Sequence, residues 1–500
     1  MDTKLQTLKA RLAEVIDLIY TRNLLDWDEQ TYMPPGGADG RAEQVGTLSK
    51  IIHEKYTADE LGRLIEEAGE EVKGLPADSD EAALVRLAAR DYRRQKRIPT
   101  ELMAEIGRAT AAAHTVWAKA RAEKDFAAFR PMLEHIFDLK RQQAECFPER
   151  ASIYDPLMDE FEPGMLTAQV REVFAGLKRD LVPLVKAIAA KPQVDDAVLH
   201  LPYDEHTQWE VAVEVVKHFG YDFERGRVDT TAHPFTTSLS LNDVRITTRV
   251  FPDLLTSLLM SNMHECGHAL YEQGLGPALI RTPLADGASY GIHESQSRMW
   301  ENLVGRSRGF WKFFYPRLQA AFPQQLKSTG LDAFYRAINK VEPSLIRVEA
   351  DEVTYNLHTM LRFELEVDVL EGRLAVRDLP AAWNAKVKEY LGIDVPDDGQ
   401  GVLQDVHWSA GYLGYFPSYT LGNIASVQFF QTACRELPAI PAEIERGEFA
   451  SLLGWLRKNI HRHGKKFTAP ELIERVTGSP LTAVPYVEYL QQKYSEVYSL

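Results

Sequence analysis

The sequence is poor in cysteine, and its three cysteines, Cys146, Cys266 and Cys434, lie far apart. Their odd number and wide spacing give no disulfide framework and no zinc-finger pattern, and they suit a reducing compartment. No stretch approaches the ~18 consecutive apolar residues of a membrane span. The first residues, Met1-Asp-Thr-Lys-Leu-Gln, carry no signal-peptide core. The expected address is therefore the cytoplasm, with no membrane partner. Basic residues are not in excess either: the formal charge of −15 argues against a nucleic-acid partner. Internal repeats, low-complexity tracts and linkers are also missing, and 500 residues suffice for either two or three domains or one large bilobed helical body.

What is plentiful is helical periodicity. Leu5, Leu8, Leu12, Val15, Ile16 and Ile19 recur at helical spacing, and a loop is expected over Trp27–Gly37. Helices are predicted at about 39–56, 58–72, 79–96, 99–121, 124–146, 167–190, 204–218, 377–391, 423–437, 439–458 and 469–497. A second aromatic and acidic loop spans Tyr154–Gly164. Between Phe235 and Val250 the residues turn β-branched and alternating around Asn242-Asp243, which predicts a hairpin. An exposed strand there could pair with an extended peptide.

The hairpin leads into His264-Glu265-Cys266-Gly267-His268. Two histidines four apart on a helix share a face, so both imidazoles can reach one metal ion. The glutamate beside the first can act as base on a water that the ion activates. Around it the helix is too apolar for a solvated surface, so Glu265 needs a partner or a raised pKa. A third ligand must come from elsewhere. Glu272 lies eight residues, or about 12 Å, beyond His264, too far to join both histidines on one ion, and is expected to be an exposed or capping acid. Glu294, inside the next helix start and flanked by His293, Ser295 and Gln296, is the best candidate. Glu301 shares its face and is expected either to support the site or to be a surface acid. A long helix is predicted from Leu345 to Glu371, with a polar stripe of Arg347, Asp351, Tyr355, His358 and Arg362. Beyond it, Gln404–Tyr419 is dense in aromatic and hydrogen-bonding side chains.

Taken in order, His233-Pro-Phe235, Asp243-Val-Arg245-Ile-Thr247, His264-Glu-Cys-Gly-His268, His293-Glu-Ser-Gln296, Ile346-Arg-Val-Glu-Ala-Asp351 and Gly401-Val-Leu-Gln-Asp405-Val-His-Trp408 resemble the M32 metallocarboxypeptidases, the carboxypeptidase Taq family. The Trp27–Pro34 and Tyr154–Gly164 loops resemble that family's as well, so the likeness spans nearly the whole chain. It implies a single M32 peptidase domain over 1–500. The implied fold is mainly α, a large two-lobed helical zincin with a deep groove and a small β-sheet, as in neurolysin and angiotensin-converting enzyme. It also implies a homodimer that removes C-terminal residues from peptides with broad specificity, using one zinc, or cobalt, per chain.

Carried onto this sequence, the resemblance makes His264, His268 and Glu294 the metal ligands and Glu265 the general base. Arg347 would meet the substrate's terminal carboxylate, as a planar guanidinium can do bidentately. A buried ion pair with Asp351 is the alternative role for Arg347, and Arg245 is the runner-up carboxylate binder. Among the aromatics, Tyr415 leads over Tyr412 and Tyr419 as the oxyanion donor, with His407 as a neighbouring donor. Rival readings are a metallo-endopeptidase or dipeptidase on the same scaffold, and a non-catalytic helical peptide-binding protein.

Overall fold

A computed structural model describes residues 3–500. Its N-terminal third is helical: α1 (Lys4–Thr31), α2 (Ala38–Tyr56), α3 (Asp59–Glu71), α4 (Asp80–Arg97), α5 (Thr100–Glu123) and α6 (Phe126–Glu145), with α1 packed on α2 and α3, α3 on α4, and α5 on α6. One helical turn, α7 (Asp155–Met158), lies inside the second aromatic loop, and α8 (Thr167–Ala189) and α9 (Glu205–Phe219) follow. Among the described residues one small sheet forms, from β1 (Val228–Thr230), β2 (Phe235–Ser240) and β3 (Asp243–Thr248). Its order is β1-β3-β2, with β2 antiparallel to β3 and β1 parallel to it. The hairpin thus forms as expected, while the three-residue β1 was too short to leave a periodic signal.

The centre of the molecule is α10 (Leu255–Gln273), crossed by α11 (Tyr290–Arg298), which continues as a π-helical turn over Met299–Val304. Then come α12 (Arg308–Ala321), α13 (Pro323–Leu326), α14 (Leu331–Ile338), α15 (Tyr355–Leu370), α16 (Leu379–Leu391) and α17 (Pro417–Glu436). The chain closes with α18 (Ile440–Ile444), α19 (Ala450–Asn459), α20 (Ala469–Thr477) and α21 (Val484–Tyr498). The body is mainly helical and two-lobed around a deep groove of about 2880 Å³. Residues of α1 and α4 line one side of it, and β2, α10, α11 and the segment before α15 line the other. No helix among the described residues is long and apolar enough to cross a membrane.

Several boundaries differ from the sequence reading. Trp27 and Asp28 belong to α1, not to a loop: the Trp27 ring is buried beneath the Arg245 guanidinium, 4.3 Å away. The helix stops only where Pro34 disfavours helical backbone at Met33. The helix expected from Leu345 begins at Tyr355 instead. Asp351 accepts hydrogen bonds from the Val353 and Thr354 amides and from the Thr354 hydroxyl, holding a non-helical turn ahead of the helix. Arg347 therefore sits in a 3₁₀ turn, Arg347–Glu349. Predicted helices 439–458 and 469–497 are each broken in two, at Gly447 and Gly478, which both take positive φ.

Two glycines set the closest approaches. A Cβ on Gly267 would lie 2.5 Å from the Ser297 Cα, and one on Gly422 would lie 2.6 Å from the Glu294 Cβ. Bare backbone at these positions lets α10 and α17 close on opposite sides of α11. Gly267→Ala should therefore destabilise the fold by about 1–3 kcal/mol, read as a lowered midpoint in urea unfolding.

Candidate active site

The α10–α11 crossing collects the ligand set. His264 and His268 are one turn apart with ring centroids at 4.9 Å. Their Nε2 atoms lie 3.7 Å and 3.6 Å from Oε2 of Glu294, and the three donor atoms are all within 4.8 Å of one another. A tetrahedral ion bound at 2.0–2.1 Å holds its ligand atoms about 3.3 Å apart. The two histidines and the carboxylate fit a divalent ion with little adjustment.

Electrostatics favour the ligating protonation states of Glu294 and His268. At His264 burial opposes charge, but the Glu294 and Glu301 carboxylates raise the imidazole above its ordinary value. Burial alone would raise the Glu294 carboxyl, but Arg298 and the two histidines hold it well below the ordinary range. Arg298 Nε donates to Glu294 Oε1 at 2.7 Å, leaving Oε2 toward the histidines. Burial brings the His268 imidazole down to about 3, so the ring is neutral, as a ligand must be. His264 turns its other nitrogen, Nδ1, to Oε2 of Glu301 at 2.9 Å. Burial opposes charge on Glu301 too, but Arg298 above all carries its carboxyl down to about 2. Glu301 is therefore a buried partner of His264 and not a surface acid.

Glu265 is buried at the groove wall. The Thr236 hydroxyl on β2 lies 2.8 Å from Glu265 Oε2 and 2.9 Å from its backbone carbonyl. Burial raises the Glu265 carboxyl above its ordinary value, which brings a general base nearer to working pH. Glu272 is neither exposed nor a cap. It is buried, its Oε1 accepting from His293 at 2.8 Å and its Oε2 from the Ser238 hydroxyl at 2.8 Å. The reason is that the hairpin covers this flank of α10, so the acid must find donors there.

A second charged centre lines the same groove. Arg347 is buried and pairs with Oδ1 of Asp405 through Nε and Nη2, each at 2.9 Å, not with Asp351. Its Nη1 donates to the Tyr355 hydroxyl at 2.9 Å. Arg362 takes the other oxygen of Asp405 at 2.6 Å through Nε. Two guanidiniums share one carboxylate, leaving a formal charge of +1, and of the two arginines Arg347 lines the groove.

Tyr415, Tyr419 and His407 also line the groove. Tyr415 packs on Tyr419 with centroids 5.2 Å apart. His407 Nε2 lies 3.2 Å from the Tyr419 hydroxyl, and burial lowers that imidazole to about 3, so it is neutral. Tyr412 and Arg245 are not among the groove-lining residues. Tyr412 is half exposed, held by a turn between the positive-φ glycines Gly411 and Gly414. Arg245 points the other way from the core-facing Val244 and Ile246 of β3, pairing with Asp243 at 2.8 Å over Trp27.

Sequence reasoning missed Thr236, Ser238, Arg298 and Asp405 as parts of these centres. Arg298 had a legible signal, one helical turn after Glu294 on the same face. Thr236 and Ser238 had none beyond alternation in a strand.

The family model for carboxypeptidase Taq (M32) metallopeptidases matches residues 7–494. Thermostable carboxypeptidase 1 of Thermus thermophilus is 42% identical over 489 residues, covering 95% of each chain. Carboxypeptidase 1 of Bacillus subtilis is 40% identical over 480 residues, also covering 95% of each. The crystal structure of the M32 carboxypeptidase from Deinococcus radiodurans superposes with a TM-score of 0.97 at 43% identity, covering 100% of both chains.

Removing Asp405 would leave two buried guanidiniums without their shared carboxylate. Asp405→Ala should destabilise the protein by about 3–5 kcal/mol, measured by chemical unfolding.

Proposed function

The chain belongs to the M32 metallocarboxypeptidases, and from that premise we propose that its groove clips residues from free peptide C-termini with broad specificity, using one zinc or cobalt ion per chain. The observation that carries this reading is one groove lined by both the His264–His268–Glu294 cluster and the surplus positive charge at Arg347. His264, His268 and Glu294 would hold the ion. When bound, such an ion would polarise the scissile carbonyl and lower the pKa of water, so that a water giving up its proton becomes the nucleophile.

The chain's own residues supply the rest. Glu265 takes the proton of the attacking water and returns it to the leaving amine. Thr236 aims that carboxylate. Arg347 receives the substrate's terminal carboxylate, fixing which peptide bond lies over Glu265. Tyr415 donates to the developing oxyanion, with Tyr419 and His407 ordering it from behind. The edge of β2 is positioned to pair with an extended peptide. We further propose that residues 1–500 work as one peptidase unit, in the cytoplasm, as a homodimer. The three separated cysteines, none in a disulfide, support that compartment.

Two tests separate the roles. Glu265→Gln should abolish turnover while metal content, read by elemental analysis, stays near wild type; full activity would refute the base assignment. A peptide with a free C-terminus should yield a mass-spectrometric ladder losing one residue at a time, while its C-terminal amide is cut at least about tenfold more slowly. Equal cleavage of both would favour an endopeptidase.

A further inference from the structure

We propose that His293 is a positioning residue for His268, with Glu272 and Ser238 fixing it in that role; this rests on the reading that His264, His268 and Glu294 bind the metal. The ligand nitrogen of His268, Nε2, faces Glu294, while its Nδ1 lies 2.6 Å from Nδ1 of His293. Two ring nitrogens that close share one proton. A ring that binds an ion through Nε2 carries its proton on Nδ1, so His268 is the donor. His293 must then present a bare Nδ1 and keep its own proton on Nε2. That atom lies 2.8 Å from Oε1 of Glu272. The second oxygen of Glu272 accepts from the Ser238 hydroxyl at 2.8 Å. Every donor in the series points toward one carboxylate, which only accepts. The opposite polarity would place a proton on His268 Nε2 and remove it as a ligand.

The ring of His293 is also held sterically. A Cβ on Gly287 would lie 2.6 Å from its Cδ2, and Tyr271 packs beside it with centroids 5.0 Å apart. The two ligand histidines are thus oriented differently: His264 by a carboxylate directly, His268 through a second imidazole that reaches the hairpin. Glu272, Asp286 and His293 also stand close enough to suggest an ion of their own. Both nitrogens of His293 are engaged, however, and Asp286 pairs with Lys465 at 2.5 Å. The relay reading therefore requires a single equivalent of metal.

The test uses full-length apoprotein, zinc affinity by competition with a chromophoric chelator, and the visible spectrum of the cobalt-loaded form. Wild type should take one equivalent. His293→Phe should bind zinc about 10–100-fold more weakly and shift the cobalt spectrum, which a purely structural role would leave in place. Glu272→Gln keeps the shape and should show a smaller loss in the same direction, and it carries the test if His293→Phe does not fold. Wild-type affinity and spectrum in the folded variants would overturn the relay. So would a second equivalent in wild type that His293→Phe loses. Failure of the wild type to bind zinc at all would overturn the metal-site reading and the relay with it.

Discussion

The site depends on keeping buried carboxylates charged at the crossing of α10 and α11. Glu265, Glu272, Glu294 and Glu301 are all buried there, and the guanidiniums of Arg298 and Arg306 are the arginines that reach them. Carboxylates outnumber guanidiniums here, and against the effect of burial they raise the imidazoles of His264 and His293 in response. An excess of buried negative charge is costly in a low-dielectric interior unless protons on those rings or a bound cation offset it. A divalent ion between His264, His268 and Glu294 would supply positive charge in place of those protons.

The opposite imbalance lies elsewhere on the groove wall, where Arg347 and Arg362 share Asp405. A groove with an electron-poor anchor and a cation-seeking cluster suits a substrate whose terminal carboxylate and last peptide carbonyl must be held at once. Tyr355 joins the two centres. Its hydroxyl accepts from Arg347, and Arg298 lies over its ring at 4.5 Å. Tyr355 also opens α15, so a helix start touches both the Arg347 centre, which sits on the 3₁₀ turn Arg347–Glu349, and, through Arg298, the histidine cluster.

Much of this was legible in the chain. The HExxH helix and the hairpin declare themselves through short-range periodicity. Glu294 was picked out instead by its place inside a helix start and by the family likeness, and the structure sets it beside both histidines. The failures share a cause. Arg347 read as helical because its stripe continues that of α15, and nothing local revealed that Asp351 would take the amides that a helix needs free. Glu272 read as exposed because a lone acid at a helix end usually is. Its burial depends on a hairpin folded over that flank and on His293 from another helix. Arg245 and Tyr412 lie off the groove lining, because strand alternation and glycine-flanked turns decide facing only once the partner surface is known.

The hairpin is where local and global constraints meet. Side chains of β2 alternate, so Thr236 and Ser238 fall on one face, and both bond to α10: Thr236 to Glu265 and Ser238 to Glu272. On its other flank α1 reaches the strand, with Asn23 donating to the Ser238 carbonyl. A slip of one residue in register would turn both hydroxyls away and leave two buried carboxylates short of a donor. The irregularity between Ser238 and Ser240 falls just beyond the second contact, so regular pairing spans the stretch that these two buried carboxylates need. Strand register therefore shapes the groove wall as much as the histidine spacing does.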